Sequence, residues 1–233
     1  MITPGAFSIP TAFALRRIPS DLAYRYSPMY TPQLFQVTDP EVIRAFIEEN
    51  SFGLLISSLD GSEIQDTHTP LLLSEDSKYL YGHIARANSH WKDWEQNKQV
   101  KVIFHGPHCY VSPTYYQSEL NVPTWNYTAV SIKGEIELIE DLEQQKSFMH
   151  WLVNTHEMSL PHPWKFDETN ELFMKLFKAV VFFRIRVLDI TAKFKLNQNK
   201  ELSDQQSVAS KLASSDSSFD RKVAELMQTD SQK

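Results

Sequence analysis

The run Trp125-Asn126-Tyr127-Thr128-Ala129-Val130-Ser131-Ile132-Lys133-Gly134-Glu135-Ile136-Glu137-Leu138-Ile139 decides the fold class. Val130, Ile132, Gly134, Ile136 and Leu138 fall on one side of an extended chain, with mostly polar residues between them. A period of two over such a length marks a strand with one face on a core, as antiparallel sheets require. Working outward, Phe52 to Leu59 reads as a buried strand and Ile64 to Leu73 as its partner, joined through the hairpin signal Asp60-Gly61. Pro70 lacks a ladder donor, so it implies an edge or a bulge. Tyr79 to Ile84, Val100 to Phe104, Cys109 to Ser112 and Val180 to Ile190 complete six or seven strands.

Helices are inserted among these strands and do not alternate with them. One starts at Thr38 or Asp39, with Pro40 in its first turn and Val42, Ile43, Phe46 and Ile47 as its apolar stripe. Asn88 to Asn97 reads as a short helix, Asp141 caps one running to His156, and Glu168 to Lys178 forms another. Short amphipathic helices follow Lys200, with Val208, Leu212, Phe219, Val223, Leu226 and Met227 on their apolar faces. This order disfavours a doubly wound parallel sheet. It fits a mainly β, α+β chain: an antiparallel barrel with peripheral helices. Residues 1–28 read as a poorly ordered leader with four prolines, 29–200 as the barrel, and 201–233 as C-terminal helices and tail.

Composition bounds the function. With 233 residues and 42% hydrophobic content the chain can bury a sizeable core. A net charge of -6 argues against sequence-independent DNA binding, which needs a basic footprint. The single cysteine, Cys109, forms no intrachain disulfide and fits a reducing, cytoplasmic setting. Apolar runs are too short for a membrane helix. The eight histidines show no His-Glu-x-x-His pattern, and His105-Gly106-Pro107-His108 has no cysteine cluster to complete a metal site. Six glycines, without a phosphate-cradling loop, leave no Rossmann or P-loop site.

Four stretches can carry chemistry. In Gly82-His83-Ile84-Ala85-Arg86-Ala87-Asn88-Ser89-His90-Trp91, a strand runs into a helix start. A phosphoryl group is held by converging cationic and neutral donors near free backbone N–H groups. Arg86 offers a planar fork and His83, Asn88 and Ser89 add donors, although Asn88 or Ser89 serves equally well as a plain N-cap. Thr67-His68-Thr69-Pro70 faces either a ligand across the hairpin or solvent. Asn121-Val122-Pro123-Thr124-Trp125-Asn126-Tyr127 either covers a flat ring system or packs a barrel rim. Lys193 to Lys200 reaches a phosphate or a partner subunit, or forms a solvated basic turn.

In order, these motifs resemble the PaiB family of proposed negative transcriptional regulators. The resemblance rests on Met29-Tyr30-Thr31-Pro32, Asn50-Ser51-Phe52-Gly53, Thr67-His68-Thr69-Pro70-Leu71, Gly82 to Asn88, Phe104 to Ser112, Asn121 to Tyr127 and Lys195-Leu196-Asn197-Gln198-Asn199. It departs at Pro113-Thr114-Tyr115-Tyr116 and at Asn197 and Lys200, where the family usually has Ser-x-Trp-Tyr, serine and arginine. The family is similar to pyridoxamine-phosphate-oxidase-like split barrels. That implies an FMN-binding antiparallel split β-barrel and a homodimer with FMN at the subunit interface. Carried over by position, phosphate contacts fall to His68, Thr69, His83, Arg86 and Asn88, and flavin-ring or cross-subunit contacts to Trp125, Asn126, Gln198 and Asn199.

Three functions follow. The first is an FMN flavoprotein with redox activity. The second is a repressor binding DNA or protein, with Lys211, Arg221 and Lys222 as the DNA candidates and no helix-turn-helix in sight. The third is a haem protein using His68 or His83 as an axial ligand.

Overall fold

A computed structural model describes residues 29–58 and 63–230; the expected leader and the Asp60-Gly61 turn lie outside the described residues. Seven strands form one antiparallel sheet: β1 (Gln36–Val37), β2 (Phe52–Ser58), β3 (Ile64–Leu73), β4 (Tyr79–Ala85), β5 (Gln99–Val111), β6 (Thr124–Leu138) and β7 (Val180–Lys195). Their order is β1-β7-β4-β3-β2-β5-β6, and β6 pairs again with β7, so the six longer strands follow one another in a ring. The helices are α1 (Pro40–Glu49), α2 (Leu142–Glu157), α3 (Glu171–Phe177), α4 (Leu202–Ala213) and α5 (Ser218–Asp230).

Strand parity places the core. Opposed residues share a face, so Leu55, Val102, Phe104, Val130, Ile132, Ile136, Phe183 and Ile185 meet inside the ring. Gly82 lies on this inner face because Phe183 and Leu71 crowd it: a Cβ there would stand 2.5 Å from Phe183 Cζ. Asp39 caps α1 through Glu41 and Val42 N–H groups, and Asp141 caps α2 through Gln144 N–H. Beneath α2 and α3, Leu72, Phe148, Leu152, Phe177 and Phe182 form a second apolar layer on the outer face of β4 and β7. The α4–α5 hairpin packs Val208, Leu212, Val223 and Met227 on Cys109, Val111, Tyr116 and Leu196.

Three local expectations differ from the structure. The two short strands expected around Gly106-Pro107 are one strand, β5, whose register shifts between His105 and His108. The bulge absorbs the proline without ending the ladder. The helix expected from Asn88 to Asn97 is a 3-10 turn over Ser89–Asp93. The strand expected to stop at Ile190 runs to Lys195, because β6 and β1 both pair with its second half.

Candidate functional site

The ladder between β3 and β4 holds only three residue pairs, Leu71–Gly82 to Leu73–Leu80. Pro70 stands where it opens, since proline offers no N–H to a second neighbour. Below that point β3 continues against β2 alone, and the 3-10 turn after β4 fills the opening. His90, 1% exposed, pegs this turn. Its Nε2 lies 2.7 Å from Ser57 Oγ and its Nδ1 2.9 Å from Thr67 Oγ1. Burial holds its pKa below the usual imidazole value, against the opposing pull of Asp93 and Asp66. Asn88 caps the turn by accepting from His90 N–H, and its amide donates to Thr67 Oγ1 at 3.0 Å.

Arg86 stands on this platform. Its Nε donates to Lys178 O and its Nη2 to Val180 O, each at 3.0 Å. Its guanidinium lies 5.9 Å from the Trp91 ring centroid, and Trp91 Nε1 donates to Arg86 O. Among the described residues it has no carboxylate partner. The side chain is exposed, so the remaining guanidinium donors face outward from a fixed fork. Val180 also lines an apolar cavity of about 280 Å³ with Met149, Trp164, Phe166, Phe173, Leu176 and Phe177.

The other phosphate candidates divide by strand parity. Thr69 is buried, and its hydroxyl donates to His83 O at 2.6 Å. His68 points to the opposite face of β3, exposed, with its ring 5.9 Å from that of Phe52. His83 lies on the outer face of β4 between Phe148 and Phe182. Its Nδ1 is buried without a hydrogen-bond partner, and burial lowers its pKa.

The remaining candidates collect at the far end of β7. Trp125 is 54% exposed and packs edge-on against Tyr110 and near His108. Asn126 is fully buried, its amide 3.5 Å from Met227 Sδ and its Oδ1 unpartnered. Gln198 closes a turn on its own backbone, donating to Phe194 O and accepting from Leu196 N–H. Asn197 takes a φ of 67° there, a region asparagine tolerates. Asn199 is exposed. Arg86 adjoins Val180 and this group adjoins Lys195. The contour of a strand between those residues is roughly 50 Å. A single subunit therefore presents two places, at opposite ends of β7.

Ser57 and the pegging role of His90 escaped the sequence reading. The available signal was Ser57 itself, a polar residue on the inward parity of Gly53 and Leu55.

An antiparallel ring that opens between two strands, with the opening plugged by a turn and helices on the outside, defines the split β-barrel class. Solved structures agree: the flavocytochrome Anf3 from Azotobacter vinelandii matches with a TM-score of 0.54 at 14% identity, covering 69% of each chain. A FAD and heme binding protein from Mycobacterium smegmatis matches with a TM-score of 0.55 at 12% identity, over 69% of this chain and 73% of that one. These likenesses establish the fold. The family model described as "Putative FMN-binding domain" matches residues 29–189, and the chain belongs to that family. It is 36% identical over 205 residues to the Bacillus subtilis protein "Protease synthase and sporulation protein PAI 2", covering 86% of this chain and 97% of that protein.

Proposed function

We propose that the chain is an FMN-binding flavoprotein that works as a cytoplasmic homodimer, with the FMN phosphate on Arg86 of one protomer and the flavin ring against Trp125, Gln198 and Asn199 of the other. The observation that carries this reading is the fixed, exposed guanidinium of Arg86, which lacks a carboxylate among the described residues. Two backbone carbonyls and the Trp91 face hold it. A phosphate monoester offers the matching planar pair of acceptors. Asn88 retains an amide hydrogen for the same group and His68 adds an exposed imidazole, while Thr69 and His83 act from beneath by fixing the β3–β4 opening. Asn126, buried against Met227 of α5, stays behind the Trp125 face.

When bound, FMN supplies one- and two-electron redox chemistry. This chain's residues orient it and set its electrostatic surroundings. The family resemblance extends the reading to negative regulation of transcription, exerted by the flavoprotein or by direct DNA contact through Lys211, Arg221 or Lys222. A gel-shift at low salt separates the two.

The decisive experiment compares FMN with riboflavin. Purified protein should show flavin absorbance or take up added FMN. Arg86→Gln should weaken FMN binding by about tenfold to a hundredfold, the worth of a charge-assisted hydrogen-bond pair, and leave riboflavin nearly unchanged. Protein that binds no flavin in either titration defeats the proposal. A haem reading has the Mycobacterium smegmatis neighbour in its favour, a protein described as binding FAD and heme. A Soret band on haem addition, lost in His68→Ala, would support it.

A further inference from the structure

We infer that the apolar cavity between α2, α3 and the start of β7 is an effector site for a neutral bicyclic aromatic molecule of about the size of indole, and that its occupancy fixes Arg86 for the flavin phosphate; the second half rests on the flavoprotein reading.

The cavity holds about 280 Å³, and every side chain lining it is apolar. α2 contributes Met149, the loop after it Trp164 and Phe166, α3 three residues and β7 Val180. A charged or hydrogen-bonding group inside would lose its water without gaining a partner, so the occupant is neutral and apolar. An apolar cavity of about 150 Å³ stays dry and takes up benzene. This one is nearly twice as large, which suits two fused rings. Its walls favour an aromatic guest over an aliphatic one. Trp164 meets Phe173 edge-on at 5.5 Å, and Phe166 stacks on Phe177 at 5.6 Å with 19° between the planes. Such rings offer faces and edges to a flat guest, and the Met149 thioether adds a polarisable contact. The rim stands in solvent, since Trp164 is 46% and Leu176 61% exposed, so a guest enters without unfolding the chain.

The cavity and Arg86 share one short segment. Phe177 and Val180 line the cavity, and residues 178–180 supply the carbonyls that hold Arg86. Its Nε donates to Lys178 O, its main-chain N–H to Ala179 O at 2.8 Å and its Nη2 to Val180 O. The β4–β7 ladder ends at the Ala85–Val180 pair, so beyond it these bonds and the Trp91 contacts place Arg86. The segment is also tied to α3, because Lys178 N–H donates to Met174 O and Ala179 N–H to Leu176 O. A wall that faces a void lacks the contacts that would fix it. A guest that fills the void supplies them, stiffens residues 177–180 and lowers the ordering cost of seating a phosphate on Arg86. Linkage is reciprocal, so FMN tightens the guest by the same factor.

The test titrates the full chain with indole by calorimetry, with and without FMN, and follows Arg86 amide exchange by NMR. Saturable binding, one per chain, with a dissociation constant of roughly 0.01–1 mM is the expected result. Met149→Trp and Leu176→Trp should each weaken it by about tenfold by occupying the cavity. Leu176 is exposed, so that variant stands even where the Met149 variant fails to fold. Leu172→Ala, exposed on the same helix and outside the lining, should leave binding unchanged. Saturating indole should slow Arg86 amide exchange and tighten FMN by about fivefold, with riboflavin unaffected. Absence of saturable binding, or binding indifferent to Leu176→Trp, overturns the inference. Indole binding that leaves Arg86 exchange unchanged overturns it too, as does an unchanged affinity for FMN in protein that takes up FMN. Protein that takes no FMN yet binds indole and slows the exchange defeats the flavoprotein reading and leaves the effector site standing.

Discussion

Replacing His90 by alanine should destabilise the barrel at its opening. The imidazole is 1% exposed and satisfies Ser57 Oγ at 2.7 Å and Thr67 Oγ1 at 2.9 Å. Thr67 keeps the donor from Asn88, but Ser57 is left buried beside a void. An orphaned buried hydroxyl costs about 1–3 kcal/mol. The edge-on contact with Trp94, at 5.4 Å between centroids, contributes a further ~0.5–1.5 kcal/mol. The sum, about 1.5–4.5 kcal/mol, corresponds to a fall of roughly 3–18 °C in Tm for a chain of this size. Urea unfolding followed by tryptophan fluorescence measures it, since Trp91 and Trp94 sit in the affected turn. The pH dependence carries the sign. His90 and His83 both have lowered pKa values from burial, so the unfolded chain binds their protons more readily. Stability is full above the unfolded imidazole value near 6.5 and declines as pH falls below it towards the folded values. His90→Gln should flatten part of that decline. A stability change below about 0.5 kcal/mol for His90→Ala, the range of an ordinary surface change, would refute the peg.

Three further outcomes are expected. Gly82→Ala forces a Cβ to 2.5 Å from Phe183 Cζ and 2.7 Å from Leu71 Cδ2, and should cost about 1–3 kcal/mol in a urea melt. Cys109 is buried and its thiol is pushed up to about 12, chiefly by burial, so a thiol-specific reagent at pH 8 should react only after denaturant is added. Asp204 has a lowered pKa, first through its bond from the Ser118 hydroxyl. Its contribution is present above the unfolded carboxylate value and is lost as pH falls through the folded one. Asp204→Ala should therefore speed proteolysis at residues 117–123 near neutral pH, and this difference from the parent protein should shrink in acid.

The strands and most helices were legible in the sequence because they rest on local periodicity. Val130 to Leu138 alternates whatever surrounds it, and Asp39 and Asp141 cap helices using groups two or three residues away. The motif containing Arg86 was legible for the same reason, as a strand end running into a capped turn.

What only the tertiary structure decided was which side chains have charge or hydrogen-bonding capacity to spare. Thr69 and His68 are sequence neighbours, yet strand parity sends one hydroxyl inward to His83 O and the other ring outward to Phe52. Lys193 looks solvated in the sequence and is buried among tyrosines in the fold. Sequence specifies the period of each element. The meeting of distant strands in a ring, which sets desolvation and pairing, is a property of the packed chain alone.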